Sequence, residues 1–347
     1  MTRIDIQRLE ANDASGAARW DAFVQSCPQA SFFHRAGWQR IIKQVFRHDT
    51  YYFQAQVDGR IEGVLPLAHV SSLLFGNALV SLPFAVYGGV AAMRDDVAEA
   101  LERHAAQLAQ RLGVAHLELR HVQARHPDWP RQDLYVTFRK PILADEEANM
   151  LAIPRKSRAS VRKGIKNGLV SEIDPGVDRF FALYADNVHR HGTPAMPKRY
   201  FQALRDEFGD DCEVLTVLGP DGKLLSTVMS FYFRDEVLPY YAGDDVAARD
   251  LAGNDFKYWE LMRRSCARGI KLFDYGRSKA GTGPYAFKKN WGFEPQPLHY
   301  EYCLYKRDGI PQNNPNNAKF KLLIETWRRM PIGLANWLGP FIVRSLG

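Results

Sequence analysis

Residues 271–302, KLFDYGRSKAGTGPYAFKKNWGFEPQPLHYEY, are the stretch on which the fold reading turns. An apolar, strand-like run (Leu272, Phe273, Tyr275) stops at Gly276-Arg277-Ser278, and a loop with Gly281 and Gly283 follows. Lys288 and Lys289 then read as a short cationic turn between Phe287 and Trp291. Aromatic rings beside lysines, next to glycines that let a backbone come close, suit a phosphate-bearing or nucleotide-bearing donor. A surface β-hairpin with solvated lysines would produce the same pattern.

Working upstream, this strand closes a series of elements. Helices are predicted over Arg179–His191 and Lys198–Phe208, and strands over Cys212–Gly219 and Lys223–Arg234, joined by the turn Pro220-Asp221-Gly222. A strand at Leu238–Gly243 and a helix over Phe256–Arg268, ended by Gly269, lead into Lys271–Tyr275. The first half has the same layout. A strand at Ile4–Leu9 precedes helices at Ala17–Ser26 and His34–Phe46, the latter with Trp38, Ile41, Ile42 and Val45 on one face. Strands at Tyr51–Val57 and Ile61–Val70 flank Asp58-Gly59, and Leu79–Ala92 reads as a bulged strand around Gly88-Gly89. A helix at Val97–Leu112, closed by Gly113, precedes a strand at Ala115–His121. The expected fold class is mixed α/β in two tandem domains, residues 1–140 and 141–307, with a helical tail over 308–347.

Between the halves lies IPRKSRASVRKGIKNG, residues 153–168, with six cations in twelve positions: Arg155, Lys156, Arg158, Arg162, Lys163 and Lys166. At about 100° per residue they cover most of a helix circumference. The stretch is either a solvated connecting helix or a contact for a polyanion or diphosphate, whose bound counterions it would release.

These segments resemble the FemABX family of aminoacyl transferases and, more loosely, the FemAB-like GNAT acyltransferases found in bacteria with exosortase and exopolysaccharide loci. RKSRASVRKGIKNGL looks like that family's basic entry to its second domain, and LPYYAG (238–243) resembles its tyrosine-bearing central strand. NDFKYWELMRRSCARGIKLFDYGRS looks like its helix and Gly-Arg-Ser strand end, and AFKKNWGF resembles its Phe-Lys loop. The resemblance implies two GNAT-like domains and transfer of an acyl or aminoacyl group to an amine of a cell-envelope precursor. It implies aminoacyl-tRNA as donor, with Phe287 stacking on the adenine of its 3′ end and Lys288 holding a phosphate or the oxyanion. Lys198, Arg199 and Tyr200 at the next helix start fall in the region where relatives bind the precursor's phosphates, and Arg158 and Arg162 of the basic stretch are further candidates for that phosphate contact.

The residues themselves allow this chemistry. Aminolysis of an ester needs a neutral amine, a stabilised oxyanion and positioning, and no covalent nucleophile. That suits a chain without a Ser/His/Asp or Cys/His signature. Lys288 is the candidate oxyanion donor, and Asp244 is placed to orient the amine or accept its proton. Tyr240 and Tyr241 follow Pro239 on a strand, where alternation sends one ring into a cleft and the other into the core. Arg277, Ser278 and Lys289 are candidate donor contacts. The stretch ARDLAGNDFKYW departs from the Q/R-x-x-G-x-G/A turn of acetyl-CoA-binding GNAT proteins, leaving Gly253 and Asn254 at the helix start. The departure counts against ordinary acetyl-CoA use, though an acyl-CoA donor and a non-catalytic binding module stay open. The long charged helical pair that some tRNA-using relatives carry is also missing.

The chain has 347 residues, 46% hydrophobic and 24% charged, with a net charge of +7. This is the composition of an ordered globular protein with an affinity for anionic partners. Cys27, Cys212, Cys266 and Cys303 are scattered, and no His/Cys grouping has metal-ligand spacing, so neither a metal nor another cofactor is expected. His189 and His191 read as cations favoured at a helix C-terminus. With no signal-peptide pattern and no apolar run of spanning length, the expected location is the cytoplasm. Past a linker at Pro311–Asn317, Phe320, Leu323, Ile324 and Trp327 share a helical face among Lys319, Lys321, Arg328 and Arg329. Leu334, Trp337, Leu338, Phe341 and Ile342 form a second apolar segment before Arg344. Such a tail suits peripheral docking on an anionic membrane, or packing on the protein or a second subunit.

Overall fold

The computed structural model describes residues 3–72, 76–311 and 318–345, with side chains of 318–322 excepted. Linker residues 312–317 and the side chains of Lys319, Phe320 and Lys321 therefore lie outside the description. Two compact units emerge, Met1–Leu134 with Pro297–Gln312 and Arg344–Gly347, and Tyr135–Gln296 with Asn313–Val343.

Each unit is built on one mixed sheet with the same order and polarity. In the first, Ile4–Leu9, Asp49–Val57, Arg60–Ser72 and Gly76–Val80 run antiparallel in sequence. Gly76–Val80 then pairs parallel with His116–His121, which pairs antiparallel with His299–Leu304. In the second, Val170–Asp174, Cys212–Leu218, Leu224–Phe233 and Glu236–Asp244 are antiparallel in sequence. Glu236–Asp244 pairs parallel with Leu272–Asp274, and that strand pairs antiparallel with Tyr135–Pro141. The strand after the parallel pair thus comes from outside the tandem pattern in both units. Tyr135–Pro141, of which all but Pro141 falls in the domain assigned from sequence to residues 1–140, belongs to the second sheet, and His299–Leu304, assigned to 141–307, to the first.

Most predicted elements form within a few residues of their expected ends. Three differ. The helix expected over His34–Phe46 is split into a 3₁₀ turn at Phe32–His34, an α-turn at Gly37–Ile41 and a π-turn at Ile42–Phe46. The strand expected over Leu79–Ala92 ends at Val80, because Leu82 and Phe84 take left-handed conformations (φ 53° and 68°). That loop is held from within: Arg120 donates to the Ala85 carbonyl at 2.7 Å and the Leu82 carbonyl at 3.3 Å. Finally, Lys288 and Lys289 lie on a helix, Gly283–Asn290, not in a hairpin turn. Pro284 in its first turn needs no N–H partner there, and the following Tyr-Ala-Phe-Lys-Lys run continues the helix.

The first unit also buries an ion network. His121 Nδ1 lies 3.0 Å from Glu301 and its Nε2 3.4 Å from Glu102, while Arg125 donates to Glu102 at 2.8 Å. Burial disfavours the imidazolium, but the two flanking glutamate carboxylates outweigh it and raise the His121 pKa.

Candidate active site

The second sheet opens where its parallel pair ends. Among the described residues Glu236↔Leu272 and Val237↔Phe273 are the pairs of this parallel contact, and Leu238–Asp244 runs on past them without a paired strand on that side. On its other side the register slips, Met229 facing Tyr241 and Ser230 facing Pro239, which leaves Tyr240 as a bulge. The bulge corrects the alternation expected for the two tyrosines. Their rings lie 4.8 Å apart, with Tyr240 against Phe231 and Tyr241 against Tyr184 and Phe201. An extra residue shifts the pleat by one, so consecutive side chains share a face. Tyr200 is buried and its hydroxyl meets that of Tyr241 at 2.9 Å. The helix Asp178–Arg190 comes close here because Gly243 has no Cβ, which would otherwise sit 2.5 Å from the Tyr184 amide nitrogen.

Asp244 ends this strand. Its carboxylate pairs with Lys257 at 2.8 Å and accepts from Ser226 Oγ. Lys257 is fully buried on the helix Gly253–Ala267, with its ammonium 4.9 Å from the Tyr258 ring centre. A lysine at zero exposure requires a charge partner, which makes Asp244 the support of Lys257 as much as a site residue.

Across the opening, Leu272–Asp274 gives way to a turn whose residues are held by side chains. Asp274 accepts from the Gly276 amide at 2.7 Å and from Thr137 at 3.2 Å, and pairs with Arg139 at 3.2 Å. Gly276 takes φ 62°, the left-handed region that a glycine enters freely. Lys288 rises into the turn from the helix Gly283–Asn290. Its ammonium donates to the carbonyls of Tyr275 at 2.7 Å, Gly276 at 3.2 Å and Arg277 at 3.4 Å. The residue is 8% exposed, and burial pulls its pKa down to about 8, with Asp274 opposing. For Lys288 the solvated-lysine reading is thereby excluded. All three N–H groups point at backbone oxygens, so the group expected to hold an oxyanion also braces the loop.

Phe287, half-buried on the same helix, joins Tyr258, Tyr275 and Trp291, with ring centres 5.5, 6.3 and 5.9 Å away. Trp291 donates to Asp255 at 2.9 Å, and burial raises the Asp255 pKa against that bond. The Tyr275 hydroxyl and Ser278 Oγ are both buried without a hydrogen-bond partner among the described residues. Arg277 is exposed, its guanidinium 4.5 Å from the Tyr135 ring centre. Lys289 is exposed, and Asn254 is half-buried in the first turn of Gly253–Ala267.

The other predicted residues lie on separate elements. The basic stretch is a helix, Arg155–Lys166, that buries Ser157, Val161 and Gly164 and turns its cations outward. Arg162 is exposed, whereas Arg158 donates to the Leu151 carbonyl at 3.1 Å. Ser157 donates to the Asn290 carbonyl at 2.8 Å, which ties this helix to the end of the one carrying Lys288. Lys198 is exposed and paired with Asp178, and Arg199 is exposed beside it. Sequence reading did not single out Tyr258, Lys257 or Asp255. The available signal was a lysine between Phe256 and Trp259, where an ammonium can lie only if a carboxylate meets it.

Residues 155–289 match the family model described as an acetyltransferase (GNAT) domain, from the basic helix to the lysine after Lys288. Over 119 residues the chain is 27% identical to the UDP-N-acetylmuramoylpentapeptide-lysine N(6)-alanyltransferase of Weissella viridescens, covering 33% of this chain. The match spans about a third (34%) of that relative's length. The fold is similar to the crystal structure of FemX, with a TM-score of 0.67 at 15% identity, over 87% of this chain and 98% of that one. The chain has a tandem GNAT-like fold. A tandem GNAT protein from the clavulanic acid pathway has the same architecture, with a TM-score of 0.55 at 16% identity over 89% and 100% of the two chains.

In this GNAT-like fold the departure from the phosphate-binding turn acquires a structural form. Ala252, immediately before Gly253, is forced to φ 60°, at a cost a glycine would not bear. Asp255 places a carboxylate in the first turn of the helix. A carboxylate there occupies the positive end of the helix dipole and repels an incoming phosphate. Among the described residues no grouping of His, Cys, Asp and Glu could hold a metal ion.

Proposed function

We propose that this chain is an acyltransferase that moves an aminoacyl group from aminoacyl-tRNA to an amine of a cell-envelope precursor, of peptidoglycan or an exopolysaccharide. The observation that carries the reading is the turn at Tyr275–Arg277, braced by a buried ammonium and bordered by Phe287 beside the opened strand. An ester carbonyl lying there meets a cation in a dry setting, where charge stabilisation is strong.

In this mechanism the neutral amine attacks the ester carbonyl and the carbonyl oxygen takes up negative charge. Collapse then breaks the ester C–O bond, and the proton given up by the amine passes to the departing tRNA oxygen, which leaves as the hydroxyl. The longest Lys288 contact, to Arg277 at 3.4 Å, is the one a developing oxyanion would replace. Phe287 supplies a ring for the terminal adenine, and exposed Arg162 and Lys163 face the polyanion. Lys198 and Arg199 are assigned to the acceptor's phosphates, Asp244 to the amine. The location is the cytoplasm, at the inner face of the membrane where such precursors are built.

An acyl-CoA donor is the second reading. It is favoured by the match of residues 155–289 to an acetyltransferase (GNAT) domain, and opposed by the Asp255 carboxylate in the first turn of the helix Gly253–Ala267. The test is transfer of label from aminoacyl-tRNAs and, in parallel, from acyl-CoAs to lipid-linked precursors. Label from tRNA supports the first reading, label from CoA alone replaces it with the second, and transfer from neither refutes both.

A further inference from the structure

The C-terminal helices are docked on their unit the wrong way round for a water-facing surface. Ile332–Val343, IGLANWLGPFIV, carries no charged side chain, and its buried residues are Ala335, Gly339 and Val343. They form a stripe that lets the helix lie close: a Cβ on Gly339 would sit 3.0 Å from the Ala195 carbonyl oxygen. The large apolar side chains face out instead. Trp337 is 64% exposed, Phe341 65%, Leu334 46% and Ile332 41%, and Leu323 on the preceding helix is 63% exposed. A helix on a soluble surface normally buries its bulky residues and shows polar ones.

The helices are nevertheless held in place. Trp327 is 8% exposed, His189 Nε2 donates to the Met330 carbonyl at 3.0 Å, and Arg328 donates to the His191 carbonyl at 3.3 Å. The outward apolar face is therefore presented on a fixed support. Residues 318–345 hold five cations (Lys319, Lys321, Arg328, Arg329, Arg344) and one acid, Glu325. Exposed aromatic and aliphatic side chains flanked by cations match a bilayer interface with anionic headgroups. Arg328 and Arg329 are exposed between Leu323 and Ile332 in the chain, so anionic headgroups would meet opposite charge there and a second copy of the face like charge. At 12 residues the helix is too short to cross a bilayer, and no helix among the described residues is long and apolar enough to do so.

We propose that the face formed by Leu323, Ile332, Leu334, Trp337 and Phe341 seats the protein on an anionic lipid surface, with this helix lying in the interface plane. The proposal is independent of the transfer chemistry, and its test uses no turnover. The full chain is floated with phosphatidylcholine vesicles, with and without phosphatidylglycerol, at low and physiological salt. A Trp337→Ser/Phe341→Ser double variant is run in parallel. About tenfold or stronger partitioning onto the anionic vesicles is expected, weakening with salt and falling about tenfold or more in the variant. The variant's thermal midpoint should stay within about 2 °C of the parent's, because both side chains point away from the fold. Failure to float with either vesicle, equal partitioning onto neutral vesicles, or undiminished binding by the variant would overturn the proposal. A concentration-dependent dimer that the double substitution abolishes would do so too, assigning the face to a second copy.

Discussion

Replacing Lys288 by Met separates its two duties. The thioether keeps most of the buried stem but removes the charge, leaving the carbonyls of Tyr275, Gly276 and Arg277 without their donor. Hydrogen bonds to a charged group contribute about 1.5–3 kcal/mol each. Against them stands the cost of burying the ammonium. Lowering the pKa from the ordinary 10.5 to about 8 corresponds to about 3 kcal/mol. The three bonds together outweigh that cost, so Lys288→Met should destabilise the fold by about 2–6 kcal/mol. Loss of an oxyanion donor, by contrast, costs about 3–4 kcal/mol of transition-state stabilisation, a hundredfold to thousandfold in rate.

The pH dependence follows from the same shift. Below about pH 8 the ammonium is present in folded and unfolded chains alike, and its burial cost is felt in full. As pH rises from about 8 to 10.5 the folded protein loses the proton while the unfolded chain keeps it, so this residue's burden on stability fades. Activity should move oppositely, falling through about pH 8 as the cation is lost. The assay is single-turnover transfer to precursor, measured beside urea denaturation for the parent, Lys288→Met and Lys288→Arg. If Lys288→Met retains activity within about tenfold of the parent while losing stability, the lysine only braces the loop and the catalytic argument fails.

Asp244→Asn leaves the fully buried Lys257 without its carboxylate and should cost about 3–5 kcal/mol, read by chemical denaturation. Adding Lys257→Met should recover most of that loss; no recovery would mean the pair is not what supports this strand. In the first unit, Glu301→Gln should cost a similar amount near neutral pH because His121 loses a buried counter-charge. Raised His121 stabilises the fold fully below its ordinary 6.5 and loses that effect as pH rises through its folded value. Glu301 is held low by the His121 bond despite burial, so it stabilises above its ordinary 4.5 and loses that effect on acidification. The gap between parent and variant should thus be widest between these limits in a pH series of thermal midpoints. Arg162→Glu with Lys163→Glu should flatten the salt dependence of tRNA binding by about two contacts, and an unchanged slope would remove the basic helix from the donor path.

The tandem arrangement was legible in the chain because turn residues and periodicities are local. Asp58-Gly59, Pro220-Asp221-Gly222, Gly113 and Gly269 each mark an element's end by backbone preference alone. The helices and hairpins therefore appeared close to their observed limits. Lys288, Phe287, Tyr241 and Asp244 were also visible as chemistry, because aromatic and charged residues beside glycines stand out in a linear reading. What they touch was not visible. Tyr135–Pro141 and His299–Leu304 have no sequential partner, and pairing across more than a hundred residues leaves no local trace. The bulge at Tyr240 depends on register against Leu224–Phe233, and the commitment of Lys288 depends on where the Tyr275–Arg277 turn lies in space. Sequence alone set the elements, the charge and the candidate groups. Tertiary structure alone decided which charges are buried, which are paired and which apolar face meets water, because desolvation and pairing are properties of neighbours that the chain brings together only when folded.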